Sequence, residues 1–282
     1  MNVRAVLAQA AKQLAPVSDT PALDAELLLA QVTGWNRARI MVEKQAELHQ
    51  PQLEAYSQLT QRRSCGEPLA YISGEREFWS LALKVSPDVL IPRPETETLV
   101  EWALEVLNQR PAQSRVADLG TGSGAIALAL ASERPDAQFI ALDFSGAALA
   151  VARANAEALG LHNVAFVQGD WLQPLAGQGF DLIVSNPPYV AAQDPHLDAL
   201  RHEPAQALVA EEAGLACLRR IIHAAPAHLQ PGAWLLLEHG YEQAPAVTEL
   251  LVAAGFEQPQ TRRDLAGQPR VTGGIWAGAA HG

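Results

Sequence analysis

Four consecutive residues, Asn186, Pro187, Pro188 and Tyr189, follow a predicted strand over 180–185 and combine groups that can hold an amide. Proline lacks an N–H and cannot continue a β ladder, so the carbonyl groups here are left free of a neighbouring strand. The Asn186 side chain adds another carbonyl oxygen, and Tyr189 adds a flat ring. Two acceptors and a ring suit a planar group with N–H donors, such as a carboxamide or an aminopurine edge. The alternative is a proline-rich turn whose tyrosine packs into the core.

A glycine-rich stretch lies upstream, at Gly120, Thr121, Gly122, Ser123 and Gly124, directly after a short apolar strand pattern. Glycine lets the backbone turn tightly and approach a ligand closely at the start of a helix. No Lys-Ser/Thr pair follows, which excludes a P-loop for nucleoside triphosphates. The spacing satisfies the relaxed dinucleotide fingerprint, so it permits either a nicotinamide or an adenosyl cofactor.

Further side chains come at the ends of the next two predicted strands. Asp143 is placed to accept both hydroxyls of an adenosine ribose, although it could instead cap the helix that begins at Ser145. Asp170 and Trp171 are placed beside an adenine, although Trp171 could instead be an ordinary core aromatic. Because the carboxyl ends of parallel strands meet at one edge of a sheet, we expect these groups to share one site with Asn186.

The elements that position these residues alternate between strand and helix from Arg115 onward. This pattern predicts an α/β fold with a parallel sheet and helices on both faces. The predicted strands lie near 115–118, 138–143, 164–168, 180–185, 233–238, 256–261 and 270–276. The predicted helices cover 96–108, 124–133, 145–159, 213–225 and 243–254.

The N-terminal quarter of the chain has helical periodicity and no strand pattern, which predicts a small helical bundle. It offers no paired carboxylates and no histidine cluster, so we interpret it as a recognition module. Apolar alternation from residue 69 to residue 85 then predicts a β-hairpin. We therefore expect a helical substrate-recognition domain over 1–70, a β-hairpin linker over 71–92 and a catalytic domain over 93–282.

Two prolines bracket Arg93 and make the segment before the helix at Thr96 stiff and extended. Two interpretations stay open. The segment is a rigid linker with a solvated charge cluster, or it is the edge of a lid, with Arg93, Glu95 and Glu97 shaping the entrance to a pocket.

Composition narrows the class of protein. The chain has 282 residues, of which 49% are hydrophobic and 18% charged, as in globular proteins, and its net charge of −11 argues against a broad surface for duplex nucleic acid. Cys65 and Cys217 lack the spacing of a metal site or a disulfide, so we expect no metal and a reducing compartment. Without a signal peptide pattern or an apolar run of membrane-spanning length, we expect a cytoplasmic protein with no membrane contact.

With Gly-Glu-Arg-Glu-Phe at 74–78 and Arg-Pro-Glu-Thr-Glu at 93–97, these motifs closely resemble those of the release factor glutamine methyltransferases, the PrmC/HemK family. The resemblance includes the glycine loop, Asp143, the Asn-Pro-Pro-Tyr motif and the stretch 203–208, and it extends over nearly the whole chain. One departure lies at 197–202, which is shorter than usual and carries His202 where an aromatic residue is common. The conformation of this loop is therefore left open.

The resemblance implies a Rossmann-like class I methyltransferase sheet with a small N-terminal helical bundle and a β-hairpin linker. It also implies methyl transfer from S-adenosylmethionine, which becomes S-adenosylhomocysteine. By the same resemblance, we expect the acceptor to be the side-chain amide nitrogen of the glutamine in the Gly-Gly-Gln motif of class-1 peptide chain release factors, and the modification to modulate translation termination. We expect these release factors to be the partners, no direct contact with nucleic acid, and a monomer.

The resemblance further implies roles for individual residues. The Asn186 side-chain oxygen and the Pro187 carbonyl accept the two amide N–H groups, next to Pro188, while Tyr189 stacks on the amide plane. The loop 120–124 and Asn186 border the methionine end of the cofactor. Asp143 holds the ribose and Trp171 the adenine.

Three other functions are alternatives to the methylation of a protein. A methyltransferase for exocyclic amines of nucleic acid uses the same acceptor geometry, but it needs a basic groove and room for a flipped base. A nicotinamide-dependent oxidoreductase fits the glycine loop and leaves Asn-Pro-Pro-Tyr without a role. A cofactor-binding module without catalysis is disfavoured by the intact residues 186–189.

Overall fold

A computed structural model describes residues 1–278 of the chain, which form two compact units, Met1–Glu75 and a second one that begins at Arg76. The helices are α1 Val3–Leu14, α2 Pro21–Thr33, α3 Arg37–Val42, α4 Gln50–Ser64, α5 Leu69–Ser73, α6 Glu97–Asn108, α7 Ala125–Glu133, α8 Gly146–Leu159, α9 Ala216–Ala224 and α10 Ala244–Ala253. The strands are β1 Glu75–Phe78, β2 Leu81–Lys84, β3 Arg115–Leu119, β4 Gln138–Asp143, β5 Val164–Gln168, β6 Phe180–Ser185, β7 Val190–Ala191, β8 Val209–Ala210, β9 Leu229–Glu238, β10 Phe256–Arg263 and β11 Pro269–Trp276. Single 3-10 turns cover Pro94–Thr96, Gln173–Leu175, Pro195–Asp198, Ala205–Ala207, Glu212–Gly214 and Ala225–Ala227.

The first unit is built from helices α1 to α5, as its periodicity predicts. The Asn2 side chain caps α1 by accepting a hydrogen bond from Ala5 N–H at 3.0 Å. Pro21 opens α2, which ends at Gly34 with a φ of +68°, a conformation that glycine adopts without strain. The helices enclose a separate apolar core, and at its edge Asp24 forms an ion pair with Arg63 at 2.8 Å.

The hairpin differs from its predicted position. Residues 69–73, which we expected to start a strand, form helix α5, and the hairpin consists of β1 and β2 alone. The helix forms because Gly74 ends it in the left-handed region, with a φ of +76°, and because Tyr71 and Ile72 are buried on one side of it. Residues 71–73 of the expected linker are therefore helical.

The second unit contains a sheet of seven strands in the order β10-β11-β9-β6-β3-β4-β5. The five strands from β9 to β5 are parallel, and β11 and β10 add an antiparallel edge. Helices cover both faces, with separate apolar clusters around Trp102 and Phe139 on one side and Phe180 and Ile221 on the other. The predicted α/β, Rossmann-like fold is confirmed.

The register of the sheet determines which residues meet at its edge. Leu119 pairs with Leu142 on one side and with Ser185 on the other, and Ser185 pairs with Leu237. The residues that follow these positions therefore lie side by side at the carboxyl ends of β3, β4, β6 and β9.

No helix within 1–278 is long and apolar enough to cross a membrane. Over the same residues, no group of three or more His, Cys, Asp or Glu side chains is placed to hold a metal ion.

Candidate functional site

A cavity of about 390 Å³ opens at the carboxyl ends of the parallel strands. This is the edge at which open α/β sheets bind ligands, and the volume lies in the range of small-molecule sites. Six of the predicted site residues line it: Gly120, Gly122, Asp143, Trp171, Asn186 and Pro188. The walls of the described cavity do not include the other five, Thr121, Ser123, Gly124, Pro187 and Tyr189.

The glycine loop is fixed by backbone hydrogen bonds. The N–H groups of Gly120 and Thr121 both donate to the Leu142 carbonyl, at 2.8 and 2.9 Å. A Cβ atom at Gly124 would stand 2.9 Å from the Leu128 side chain, so glycine is needed there for packing. At Gly122, with a φ of +57°, a Cβ would meet no described atom within 4 Å. The bare backbone of Gly122 therefore faces open space on the cavity wall.

Asp143 joins the loop to the next strand. One carboxylate oxygen accepts from Gly122 N–H and the other from Ser145 N–H, both at 2.9 Å. Burial raises the pKa of Asp143, while the backbone N–H donors oppose the rise. Helix α8 is capped by Ser145 itself, which accepts from Ala148 N–H at 3.2 Å. Asp143 thus shapes the turn and also lines the cavity.

Asp118, at the end of β3, supports the loop from below. It is almost fully buried, and its Oδ2 accepts from the Thr121 hydroxyl at 2.6 Å and from Ala127 N–H at 3.2 Å. Its Oδ1 has no hydrogen-bond partner within residues 1–278, and burial raises the pKa of Asp118 to about 7. The Thr121 hydroxyl is therefore used to bond Asp118. Ser123 is also buried, and its backbone carbonyl accepts a hydrogen bond from the Asn155 side-chain amide.

Trp171 is both a core aromatic and a residue of the cavity wall, and its position beside an adenine stays a prediction. It lies partly buried against the core of the sheet and also lines the cavity. Its ring approaches Gly120 so closely that a Cβ there would stand 3.5 Å away. The preceding Asp170 forms an ion pair with Arg220 at 2.7 Å, and both side chains border the cavity.

Asn186 lies at the opposite wall, directly after Ser185, whose hydroxyl donates to the Leu119 carbonyl at 2.6 Å. The Asn186 amide nitrogen donates to the Thr96 hydroxyl at 3.3 Å. This contact fixes the orientation of the amide. Its oxygen accepts no hydrogen bond from the described residues and remains available to a ligand.

Tyr189 is held by Glu238, a residue to which the sequence assigned no role. The Tyr189 hydroxyl donates to Glu238 Oε1 at 3.3 Å. Burial raises the pKa of Tyr189, and it raises the pKa of Glu238 to about 7, against the lowering effect of Thr96 and Arg270. Glu238 Oε2 has no partner in the described part of the chain. The sequence signal was present, since Glu238 ends a strand predicted to lie in the same sheet.

The segment around Arg93 contacts the loop that borders the cavity. Arg93 forms an ion pair with the buried Glu203 at 2.5 Å, and Glu203 also accepts from Ile91 N–H at 3.1 Å. Just upstream, residues 89–90 line the cavity. Glu97 instead accepts from Trp79 N–H in the hairpin at 3.0 Å. Of the three charged side chains considered, Arg93 is the one tied to the loop that carries Glu203.

That loop also contains the departure noted in the sequence. In the stretch 195–210, residues 206–207 and Val209 line the cavity. The Nε2 atom of His202 is buried and has no hydrogen-bond partner among the described residues. The cavity wall here consists of 3-10 turns and the short parallel pair β7–β8, which no sequence pattern predicted.

Comparison with known proteins gives consistent results along the chain. A family model described as the PrmC N-terminal domain matches residues 5–74, and one described as the methyltransferase small domain matches residues 99–210. A release factor glutamine methyltransferase of Coxiella burnetii is 48% identical, and the match covers 96% of this chain and 98% of that protein. A protein of the same name from Salmonella typhimurium is 51% identical over 91% of this chain and 93% of its own length.

A solved structure supports the fold alone. The methyltransferase from Pyrococcus furiosus superposes with a TM-score of 0.52 at 18% sequence identity, covering 70% of this chain and 89% of that one. The similarity is to the arrangement of the sheet and its helices.

Proposed function

The chain belongs to the release factor glutamine methyltransferases, and on that premise we propose which of its residues carry out each part of methyl transfer. It is a protein-(glutamine-N5) methyltransferase, which methylates the side-chain amide nitrogen of a glutamine in a release factor. The resemblance inferred from the sequence motifs is thus confirmed. The assignment of residues and of the methyl donor is our proposal.

S-adenosylmethionine fits the cavity as the methyl donor. The bare backbone of Gly122 faces open space beside the Asp143 carboxylate, and both line the cavity at the carboxyl ends of β3 and β4. This pairing of an open glycine backbone with an acceptor carboxylate is the observation that carries the proposal. Bound there, the cofactor supplies a methyl group on a positively charged sulfur.

On the cofactor side, the residues of the chain bind and orient S-adenosylmethionine. Gly120 and Gly122, in the loop 120–124, provide room for the methionine end, and Asp143 accepts the ribose hydroxyls with lone pairs that its two backbone donors leave free. Trp171 lies against the adenine. Thr121 and Ser123 support this loop from inside the protein.

On the acceptor side, the glutamine amide needs two acceptors. An amide lone pair is delocalised into its carbonyl and attacks poorly, so orientation and charge stabilisation are the main contributions available. The Asn186 side-chain oxygen and the Pro187 carbonyl accept the two N–H groups, while Pro188 closes the wall and Tyr189 supports the amide plane. No general base is assigned, because the nitrogen can lose its proton during or after transfer.

The substrate is the glutamine of the Gly-Gly-Gln motif in class-1 release factors, whose modification modulates translation termination. We assign recognition of the release factor to the helical residues 1–70 and a linking role to 71–92, with catalysis in 93–282. The protein works as a monomer in the cytoplasm, without direct contact to nucleic acid.

Mass spectrometry of a release factor incubated with this protein and S-adenosylmethionine tests the proposal. We expect a gain of one methyl group on the glutamine of Gly-Gly-Gln, and none when that glutamine is replaced by alanine. Methyl transfer to a pool of DNA or RNA, with none to the release factor, would favour the nucleic-acid alternative.

A further inference from the structure

The downstream end of the acceptor segment, residues 186–189, is held by the side-chain amide of Gln243. The Gln243 Nε2 atom donates to the Tyr189 carbonyl at 3.0 Å and to the Ala213 carbonyl at 3.2 Å. Its Oε1 atom accepts from Gly240 N–H at 2.8 Å. The roles proposed above leave Gln243 unused, and its side chain is not part of the described cavity wall.

The chemistry of these three partners fixes the orientation of the amide. Carbonyl oxygens only accept, so the Gln243 nitrogen must face Tyr189 and Ala213. A backbone N–H only donates, so the Gln243 oxygen must face Gly240. A flipped amide would lose all three hydrogen bonds at once. Gln243 therefore connects the acceptor segment to two turns, the one that follows β9 and the one that precedes α9.

The contact with Gln243 acts on a peptide group that is held on both of its sides. The carbonyl of this group, that of Tyr189, accepts from Gln243. The N–H of the same group belongs to Val190 and donates to the Leu208 carbonyl at 2.9 Å. The backbone of Gly214 passes so close that a Cβ atom there would overlap the Tyr189 carbonyl oxygen. The plane of this peptide group is therefore fixed.

The two prolines of the acceptor segment transmit this restraint to the proposed acceptor atoms. Each proline has a fixed φ and restricts the residue before it, so few dihedral angles are free between Asn186 and Tyr189. Upstream of them, Ser185 pairs with Leu119 in the parallel ladder. A rotation of the Tyr189 peptide group would therefore displace the Pro187 carbonyl and the Asn186 side chain relative to the cavity.

We propose that Gln243 is a positioning residue for methyl transfer, which holds the Tyr189 peptide group and thereby keeps the two acceptor oxygens aimed at the substrate amide. This inference rests on the proposed roles of Asn186 and Pro187. It adds a requirement at a residue outside the cavity wall, on the turn between β9 and α10.

Two variants remove the donor side of this amide. Gln243→Glu has nearly the same shape and keeps an acceptor for Gly240 N–H, but it turns a carboxylate toward two carbonyl oxygens. Gln243→Met removes the hydrogen bonds without adding a charge. Because misplacement of a reacting group by about 1 Å can cost about 100-fold, we expect both variants to lower kcat roughly 5- to 20-fold. As a matched control, Gln138→Glu makes the same change at an exposed position at the amino end of β4 and should leave kcat unchanged.

Three further measurements separate positioning from a general loss of structure. Circular dichroism should show both variants folded at the assay temperature, and if one unfolds, the other carries the test. The Kd for S-adenosylmethionine, measured by calorimetry, should stay within about fivefold. In an Asn186→Ala background, Gln243→Met should cost less than in the unsubstituted protein, because one of the oxygens that it aims is already absent.

Four outcomes would overturn the inference. They are a loss of kcat below about fivefold in a folded variant, unfolding of both variants, a Kd raised by more than about fivefold, and a full cost of Gln243→Met in the Asn186→Ala background. A failure of the proposed acceptor site is distinguishable, because Asn186→Ala alone would then keep its turnover within a few-fold, and the inference would fall with it.

Discussion

The proposed cofactor side of the cavity, Gly120–Gly124 with Asp143, is held by backbone N–H groups of the loop, which donate to the Leu142 carbonyl and to the Asp143 carboxylate. The acceptor side, Thr96 with Asn186–Tyr189 and Glu238, is held by side chains that come from three separate stretches. Each side nevertheless rests on a buried carboxyl group, Asp118 or Glu238, of which one oxygen has no hydrogen-bond partner within residues 1–278. If the proposed roles hold, cofactor binding depends on local chain geometry, whereas catalysis depends on contacts between distant residues.

The largest expected effect comes from the acceptor side. Asn186→Ala removes an oriented polar contact from the transition state, so we expect kcat to fall about 100- to 1000-fold, or roughly 3–4 kcal/mol. The Kd for S-adenosylmethionine should change little. Steady-state kinetics and calorimetry measure the two quantities. A turnover within a few-fold of the unsubstituted protein would remove Asn186 from its proposed role.

On the cofactor side we expect the opposite pattern. Gly122→Val places a side chain in the cavity at a φ of +57°, and we expect the Kd for S-adenosylmethionine to rise about 10- to 100-fold. At saturating cofactor, kcat should be largely retained. Gly160→Val is the matched control, because Gly160 has a φ of +67° and open surroundings at the end of α8, away from the cavity. Equal Kd values for the two variants would contradict the proposed binding surface.

The two buried carboxyl groups predict a shared dependence of stability on pH. Folding raises the pKa of Asp118 and of Glu238 to about 7, so the folded protein binds more protons than the unfolded chain between about pH 4 and pH 7. These two groups therefore stabilise the folded protein at low pH, and their contribution to the free energy of unfolding is lost as the pH rises through 7.

Asp118→Asn and Glu238→Gln should each flatten this dependence by about 1–2 kcal/mol between pH 5 and pH 7.5. Urea denaturation at the two pH values measures the change. If a variant kept the slope of the unsubstituted protein, the carboxyl group in question would titrate in the same range in the folded and unfolded states.

The smallest expected effect concerns the ion pair at the cavity rim. Arg220 and Asp170 are both substantially exposed, and exposed pairs contribute at most about 1 kcal/mol. Arg220→Ala should therefore change the Kd for S-adenosylmethionine by no more than about fivefold. A larger loss in a binding titration would show that the rim ion pair also contributes to holding the cofactor.

Sequence reasoning worked where the pattern is local. All seven strands of the sheet were predicted, because strand and helix alternate with clear apolar runs, and six of the eleven predicted site residues line the cavity. Gly124 and Thr121 illustrate the limit of a motif. Their positions in the glycine loop suggested ligand contact. In the structure, Gly124 is needed for packing and the Thr121 hydroxyl donates to Asp118.

The pairings between distant residues could not be predicted. Thr96 and Asn186 are 90 residues apart, and Tyr189 and Glu238 are 49 apart, so no spacing rule connects them. The helix α5 was missed because it has only 5 residues, too few for a helical apolar period to show, and is ended by Gly74 in the left-handed region. The wall at 195–210 consists of short turns without periodicity, and its position follows from the buried contact of Glu203.

The contact of Glu203 with Arg93 and Ile91 affects the temperature at which the protein loses activity. It joins residues 110 apart on the chain, and it secures a wall that has little regular structure of its own. The sheet can stay folded when this contact opens, since the strands do not depend on it. We therefore expect the site to lose its wall, and with it turnover, at a temperature below that at which the sheet melts.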